Sequence, residues 1–98
     1  VLENLDNQIG RIIDEIEHLG LSKRTLIIFT SDNGPSDGAK KYLNGEKPAG
    51  FAGIFRGRKW SIFEGGIRMP FIAVWPGRIK AGTQDDTSIM STLDLSPT

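Results

Sequence analysis

The chain is expected to be α/β, with a mostly parallel sheet. Three features predict this class: an amphipathic stretch of helical period over residues 1–19, a continuous apolar run over 25–30, and a second such run over 71–75. A helix, a short connection and a buried strand form half of a βαβ unit.

In the first element, Leu2, Leu5, Ile9, Ile12, Ile13, Ile16 and Leu19 recur at spacings of three and four. That spacing marks one face of a helix. Asp6, Arg11, Asp14, Glu15 and Glu17 fill the other face. Gly20 is placed to end the helix in a left-handed cap, with Leu21 packing back.

Ser22-Lys23-Arg24 connects the helix to "TLIIFT", Thr25 to Thr30. This run is unbroken rather than alternating, which predicts a strand covered on both faces, as in a parallel sheet. Residues 33–58 are rich in Gly, Pro, Asn, Lys and Ser and have no sustained period. An irregular stretch this long inside a compact domain is usually functional or mobile. "FIAVW", Phe71 to Trp75, lies between Pro70 and Pro76-Gly77 and is the second expected strand. A helix is expected to open after Ser91.

Composition excludes several classes. The 98 residues carry 12 Lys+Arg and 12 Asp+Glu, so the formal charge is zero and gives no electrostatic case for a nucleic-acid partner. There is no Cys, hence no disulfide, thiolate zinc site or Cys nucleophile within these residues. No apolar run approaches the roughly 20 residues of a membrane span. Val1-Leu2-Glu3-Asn4 has neither the basic region nor the apolar segment of a signal peptide. It resembles a helix entered partway, and "LDLSPT" stops as another pattern opens, so an excised piece of a longer protein is expected.

Asp32-Asn33-Gly34-Pro35 follows the first strand. Open α/β sheets bind ligands outside the carboxyl ends of their strands. A carboxylate beside an amide oxygen is hard-oxygen chemistry, suited to Ca²⁺ or Mg²⁺ rather than Zn²⁺. Two oxygens fall short of the six to eight that Ca²⁺ takes, so other ligands must come from elsewhere. The same four residues are strong turn formers, and taken alone an ordinary turn is the simpler account.

Lys59 lies with Arg56 and Arg58 in "FRGRKWSIFEGG". An ammonium is a good point-charge partner for a tetrahedral oxyanion. Taken alone, a solvated basic loop is the simpler account of the cluster, although Trp60 and Phe63 should anchor the loop on something apolar. In Glu64-Gly65-Gly66 the two glycines allow positive φ or close backbone approach, and Glu64 can bond an amide or pair with a cation. His18 is the sole histidine, a poor basis for a metal site, and lies near the helix end, where the dipole favours positive charge. Asp85, Asp86 and Asp94 are expected to be surface and helix-start residues.

Taken in order, "LDNQIGRIIDEIEHLGL", "TLIIFTSDNGP", "RGRKWSIFEGGIRMPFIAVWPGRIKAGT" and "LDLSPT" resemble the latter part of the catalytic domain of type I sulfatases, in the alkaline-phosphatase-like superfamily. The resemblance covers nearly the whole chain. It implies part of a single catalytic domain with a layered α/β fold, incomplete over residues 1–98, in which residues 31–66 would be active-site loops. It also implies sulfate-ester hydrolysis by a formylglycine, made from Cys or Ser, with a divalent cation that is usually Ca²⁺. By the same resemblance Asp32 and Asn33 would be metal ligands and Lys59 would contact the sulfate. The family commonly has Gly after that lysine, where this chain has Trp60.

The nucleophile motif, Cys/Ser-x-Pro/Ala-x-Arg, does not occur in these residues, nor do the family's upstream Asp pair and catalytic histidines. The chain alone is therefore expected to be inactive. The substrate of the whole protein is expected to be a sulfated small molecule or glycan. A phosphonate monoester hydrolase, a phosphodiesterase or a non-catalytic module of the same superfamily stays open as an alternative. A periplasmic, secreted or lysosomal setting is suggested by the resemblance only. Apolar strands without neighbours are expected to make the chain self-associate.

Overall fold

The computed structural model describes residues 2–36 and 50–96. Residues 37–49, within the loop that the sequence leaves unassigned between Ser36 and Phe55, lie outside the described residues. Helix α1 spans Leu2–His18. It ends in a Schellman motif: Gly20 N–H donates to Glu17 O (2.9 Å) and Leu21 N–H to Ile16 O (3.0 Å). Gly20 takes φ 68°, the left-handed conformation that this closure needs. Ser22–Arg24 form a single 3₁₀ turn.

Strand β1 is Ile27–Thr30 and strand β2 is Phe71–Val74. They pair antiparallel, with Ile27 opposite Val74 and Thr30 opposite Phe71. This corrects the expected mostly parallel sheet, because the sheet among the described residues is this antiparallel pair. An unbroken apolar run reports the wish for cover on both faces but not the direction of the neighbouring strand. Between β1 and β2 the described residues include only one short helix, α2 (Glu64–Ile67), not the long crossover helix that parallel neighbours usually require.

The cover that the strands call for is also missing among the described residues. Ile27 and Ile28 are half-buried, Phe29 is exposed, and no apolar side chain is fully buried. Two bonds tie the strand ends to the rest. Thr30 Oγ1 donates to Pro70 O (2.8 Å), and Trp75 Nε1 donates to Lys23 O (3.1 Å).

The expected helix after Ser91 is a 3₁₀ turn, Thr92–Asp94. Ser91 caps it: Leu93 N–H donates to Ser91 Oγ (3.2 Å), while Ser91 N–H donates to Asp94 Oδ2 (2.7 Å). Asp85 organises a second local turn, accepting from Thr87 and Ser88 through both backbone and hydroxyl donors. No helix among the described residues is long and apolar enough to cross a membrane.

Candidate active site

Three backbone segments meet where the glycines fall. Gly34, Gly65 and Gly66 are the buried residues among those described. Gly34 N–H donates to Gly66 O (2.9 Å), and Gly65 N–H donates to Arg56 O (2.7 Å). A Cβ on Gly34 would overlap Gly65 O, and one on Gly65 would overlap Gly57 O and sit 2.8 Å from Arg56 O. Glycine at these positions is thus a matter of space: carbonyls occupy the volume of a side chain. The close approach anticipated for the two adjacent glycines is their role here. Glu64, beside them, pairs with Arg68 (3.1 Å), in an exposed bridge of small energetic weight.

This lock holds the end of β1 against the basic loop. Lys59 N–H donates to Pro35 O at 3.0 Å, so the Asp32–Pro35 turn and the Lys59 segment are joined directly. Asp32 is exposed and Asn33 half-buried at the strand end. Asn33 Nδ2 donates to Gly34 O (3.0 Å), which leaves the amide oxygen as the end suited to a cation. Ser31 Oγ donates to Asn33 O (3.1 Å) and further fixes the turn. The turn and the strand end that carries Asp32 and Asn33 are therefore one structure.

The basic cluster divides by role. Arg56 lies 4.0 Å from the Phe63 ring centroid. Arg58 Nη1 donates to Ser36 O (3.3 Å) and Gly50 O (3.4 Å). Both guanidiniums serve the loop itself. Lys59 is half-buried and places Nζ 5.6 Å from the Trp60 ring centroid. With Phe51, Phe55 and Arg58 it also lines an open cleft of about 410 Å³.

Lys59 and Trp60 are the central pair of a tight turn. Ser61 N–H donates to Arg58 O (3.0 Å) across it. Ser61 Oγ donates to the same carbonyl (2.8 Å) and accepts from Arg58 N–H (3.0 Å). Trp60 has φ 78°, and no other non-glycine among the described residues has positive φ. A positive φ at the third turn position is the hallmark of a type II turn, which favours Gly there. Glycine, which the family commonly has after the lysine, would suit this φ; here an indole stands on it. Within this segment 82% of Trp60 is exposed.

Two expected site residues, Asp32 and Asn33, supply hard oxygens suited to part of a Ca²⁺ or Mg²⁺ shell. Among the described residues no three His, Cys, Asp or Glu side chains cluster as a metal site, so the remaining donors are not in this set. His18 stays at the exposed end of α1, and Asp85 and Asp86 are exposed on their own turn. The Asp85 carboxyl is held well below the usual carboxylate range, first by the Ser88 hydroxyl, then by the Ser88 and Thr87 backbone amides and the Thr87 hydroxyl. Sequence reasoning did not assign helix α2 or the Arg58–Ser61 turn. The Gly-Gly step was the available signal for the first, and the Arg-Lys-Trp-Ser stretch carries none of the usual turn glycines for the second.

The family model for sulfatases matches residues 1–98. The chain belongs to the sulfatase family. It is 41% identical to an N-acetylgalactosamine-6-O-sulfatase of Bacteroides thetaiotaomicron, over 97% of the chain and 19% of that protein. It is 40% identical to human arylsulfatase A, over 99% of the chain and 18% of that protein. A rat N-acetylgalactosamine-6-sulfatase is 39% identical, over 99% of the chain and 17% of its own length. The sulfatase segment thus spans less than a fifth of the curated relatives it matches.

Proposed function

We propose that this segment supplies two metal ligands and a sulfate-binding cation to a sulfuric ester hydrolase. Asp32 and Asn33 would hold a divalent cation, Ca²⁺ or Mg²⁺, through a carboxylate and an amide oxygen. When bound, such a cation neutralises charge on the transferred group and on the nucleophile. Lys59 places its ammonium on a sulfate oxygen and offsets the negative charge that grows as the S–O bond breaks. Preorganised charge of this kind is usually the largest single contribution to such a reaction.

The observation that carries this reading is the Lys59 N–H to Pro35 O bond above the Gly34–Gly66 contact. It joins the strand end bearing Asp32 and Asn33 to the loop bearing Lys59, and two buried glycine steps hold that junction rigid. A cation site and an oxyanion site must be fixed relative to one another for both to act on one sulfate.

The whole domain on this reading is a layered alkaline-phosphatase-like α/β fold in which residues 1–98 are one part. The nucleophile is a formylglycine outside these residues. The relatives carry names for N-acetylgalactosamine-6-sulfate and aryl sulfate hydrolysis. A sulfated small molecule or glycan is accordingly the substrate class proposed here.

The test is Lys59→Ala and Asp32→Ala in the full-length protein, assayed on sulfate and phosphate esters. Removal of Lys59 is expected to lower kcat/KM on a sulfate ester by about 10²–10³, the usual loss of one preorganised donor. Asp32→Ala is expected to raise the concentration of Ca²⁺ needed for half-maximal activity. Wild-type kcat/KM in both variants would refute the assignment. Preference for phosphate over sulfate esters in the parent would turn it toward a phosphodiesterase.

A further inference from the structure

We propose that Trp60 selects sulfate esters whose alcohol carries a ring, by laying its indole against that ring while Lys59 holds the sulfate. The proposal rests on the reading of Lys59 as the sulfate-binding group.

Three observations lead to it. Trp60 occupies the turn position where positive φ suits glycine, and it is the sole non-glycine among the described residues with such a φ. The turn is closed at both ends by the Arg58–Ser61 bonds, so the strained backbone is imposed by its surroundings. Strained residues of this kind concentrate at sites where a side chain must be aimed. Second, 82% of Trp60 is exposed in this segment. Third, its centroid is 5.6 Å from Lys59 Nζ.

The distances fit one ester molecule. A sulfate oxygen on an ammonium sits about 2.8 Å from the nitrogen. The ester oxygen belongs to the same tetrahedron, so the alcohol's carbon skeleton starts within a few ångströms of Nζ. An indole whose centroid is 5.6 Å from Nζ is then within van der Waals reach of that skeleton. Its flat apolar face suits another flat face, either an aryl ring or the C–H face of a pyranose. An open alkyl chain offers much less area to it.

The experiment measures inhibition of the full-length protein, with one reporter sulfate ester and five competitors: inorganic sulfate, propyl sulfate, phenyl sulfate, a methyl hexoside 6-sulfate and cyclohexyl sulfate. Wild type, Trp60→Gly, Trp60→Phe and Lys59→Ala are compared. Glycine suits the backbone at position 60, so Trp60→Gly is expected to keep the fold, which a thermal melt checks. In that variant the inhibition constant of at least one ring ester should rise about tenfold, with inorganic and propyl sulfate changed less than twofold. Trp60→Phe should recover most of the loss. Which ring ester responds separates an aryl from a sugar substrate. Unchanged constants for all ring esters, or an equal rise for all five competitors, overturns the proposal. The equal rise would mean that the indole only steadies the Lys59 ammonium. Lys59→Ala should weaken every competitor, inorganic sulfate included. If it leaves inorganic sulfate unaffected, the sulfate-binding reading fails, while the ring selectivity of Trp60 is still read from its own variants.

Discussion

Gly34 and Gly65 are packed so closely that a methyl group on Gly34 would overlap the Gly65 carbonyl oxygen. The contact lies between backbones, so no side-chain rotation relieves it. Gly34→Ala and Gly65→Ala are each expected to cost at least about 1–3 kcal/mol, the usual range for overpacking. Thermal melts of the full-length protein check this. Activity should fall further than stability, because the same shift parts Asp32 and Asn33 from the Lys59 loop.

Gly20 is held to glycine for a different reason. A Cβ there would meet nothing within 4 Å, but φ is 68°. Gly20→Ala should therefore cost about 1–2 kcal/mol, the penalty of the left-handed conformation alone, and Gly20→Asn less. Gly10, inside α1 with open space and no unusual φ, is the control. Gly10→Ala should stabilise by about 0.5–1 kcal/mol. Equal effects at positions 10 and 20 would contradict the Schellman account of the helix end.

Asp85 should remain ionised in acid that protonates ordinary carboxylates. Its folded-state pKa is depressed by the hydrogen bonds that it accepts, so the contribution is present above the unfolded value of 3.8 and is lost only as pH falls through the lower folded value. Carboxyl-carbon NMR shifts would show Asp85 titrating after the other aspartates. The Ser88 amide shift should move with it, because Ser88 N–H donates to Asp85 Oδ1 at 2.9 Å. A titration of Asp85 near the usual carboxylate range would contradict this turn.

The 98-residue chain on its own is expected to self-associate and to hydrolyse no aryl sulfate. Ile12, Ile62 and Ile67 are each more than half exposed, and β1 and β2 form a two-stranded ladder with little cover. Sedimentation should show mass rising with concentration. A monomer with a sharp cooperative melt, or measurable turnover of a chromogenic aryl sulfate, would contradict the expectation.

Much of the local structure is written in residue spacing. The Ile9–Ile16 stripe and Gly20 specify α1 and its stop, because helix period and left-handed caps are local properties. The close approach at Gly65-Gly66 was legible for the same reason: small residues in sequence imply backbone proximity. Strand direction was not legible. Ile27–Phe29 carry the same apolar signature whichever way Phe71–Val74 runs beside them, since pairing is decided by segments far apart in the chain. The conformation of Trp60 was hidden too, because nothing in its own chemistry favours positive φ; the hydrogen bonds of Arg58 and Ser61 impose it. Asp32, Asn33 and Lys59 owed their interest to order along the chain, and the Lys59–Pro35 bond adds spatial adjacency to that order.

The β1–β2 ladder closes the base of the candidate site. Both flanks of the candidate site are pinned: Thr30 faces Phe71 in register and its hydroxyl is bonded to Pro70. Residues 31–70 are therefore one excursion closed at its base. The entropy of closing such an excursion grows only with the logarithm of its length, so doubling it costs about 0.6 kcal/mol more. Insertions between the Asp32–Pro35 turn and the Lys59 loop are thus cheap, provided that the glycine contact survives. That stretch can be lengthened or rewritten while Asp32, Asn33 and Lys59 stay where they are.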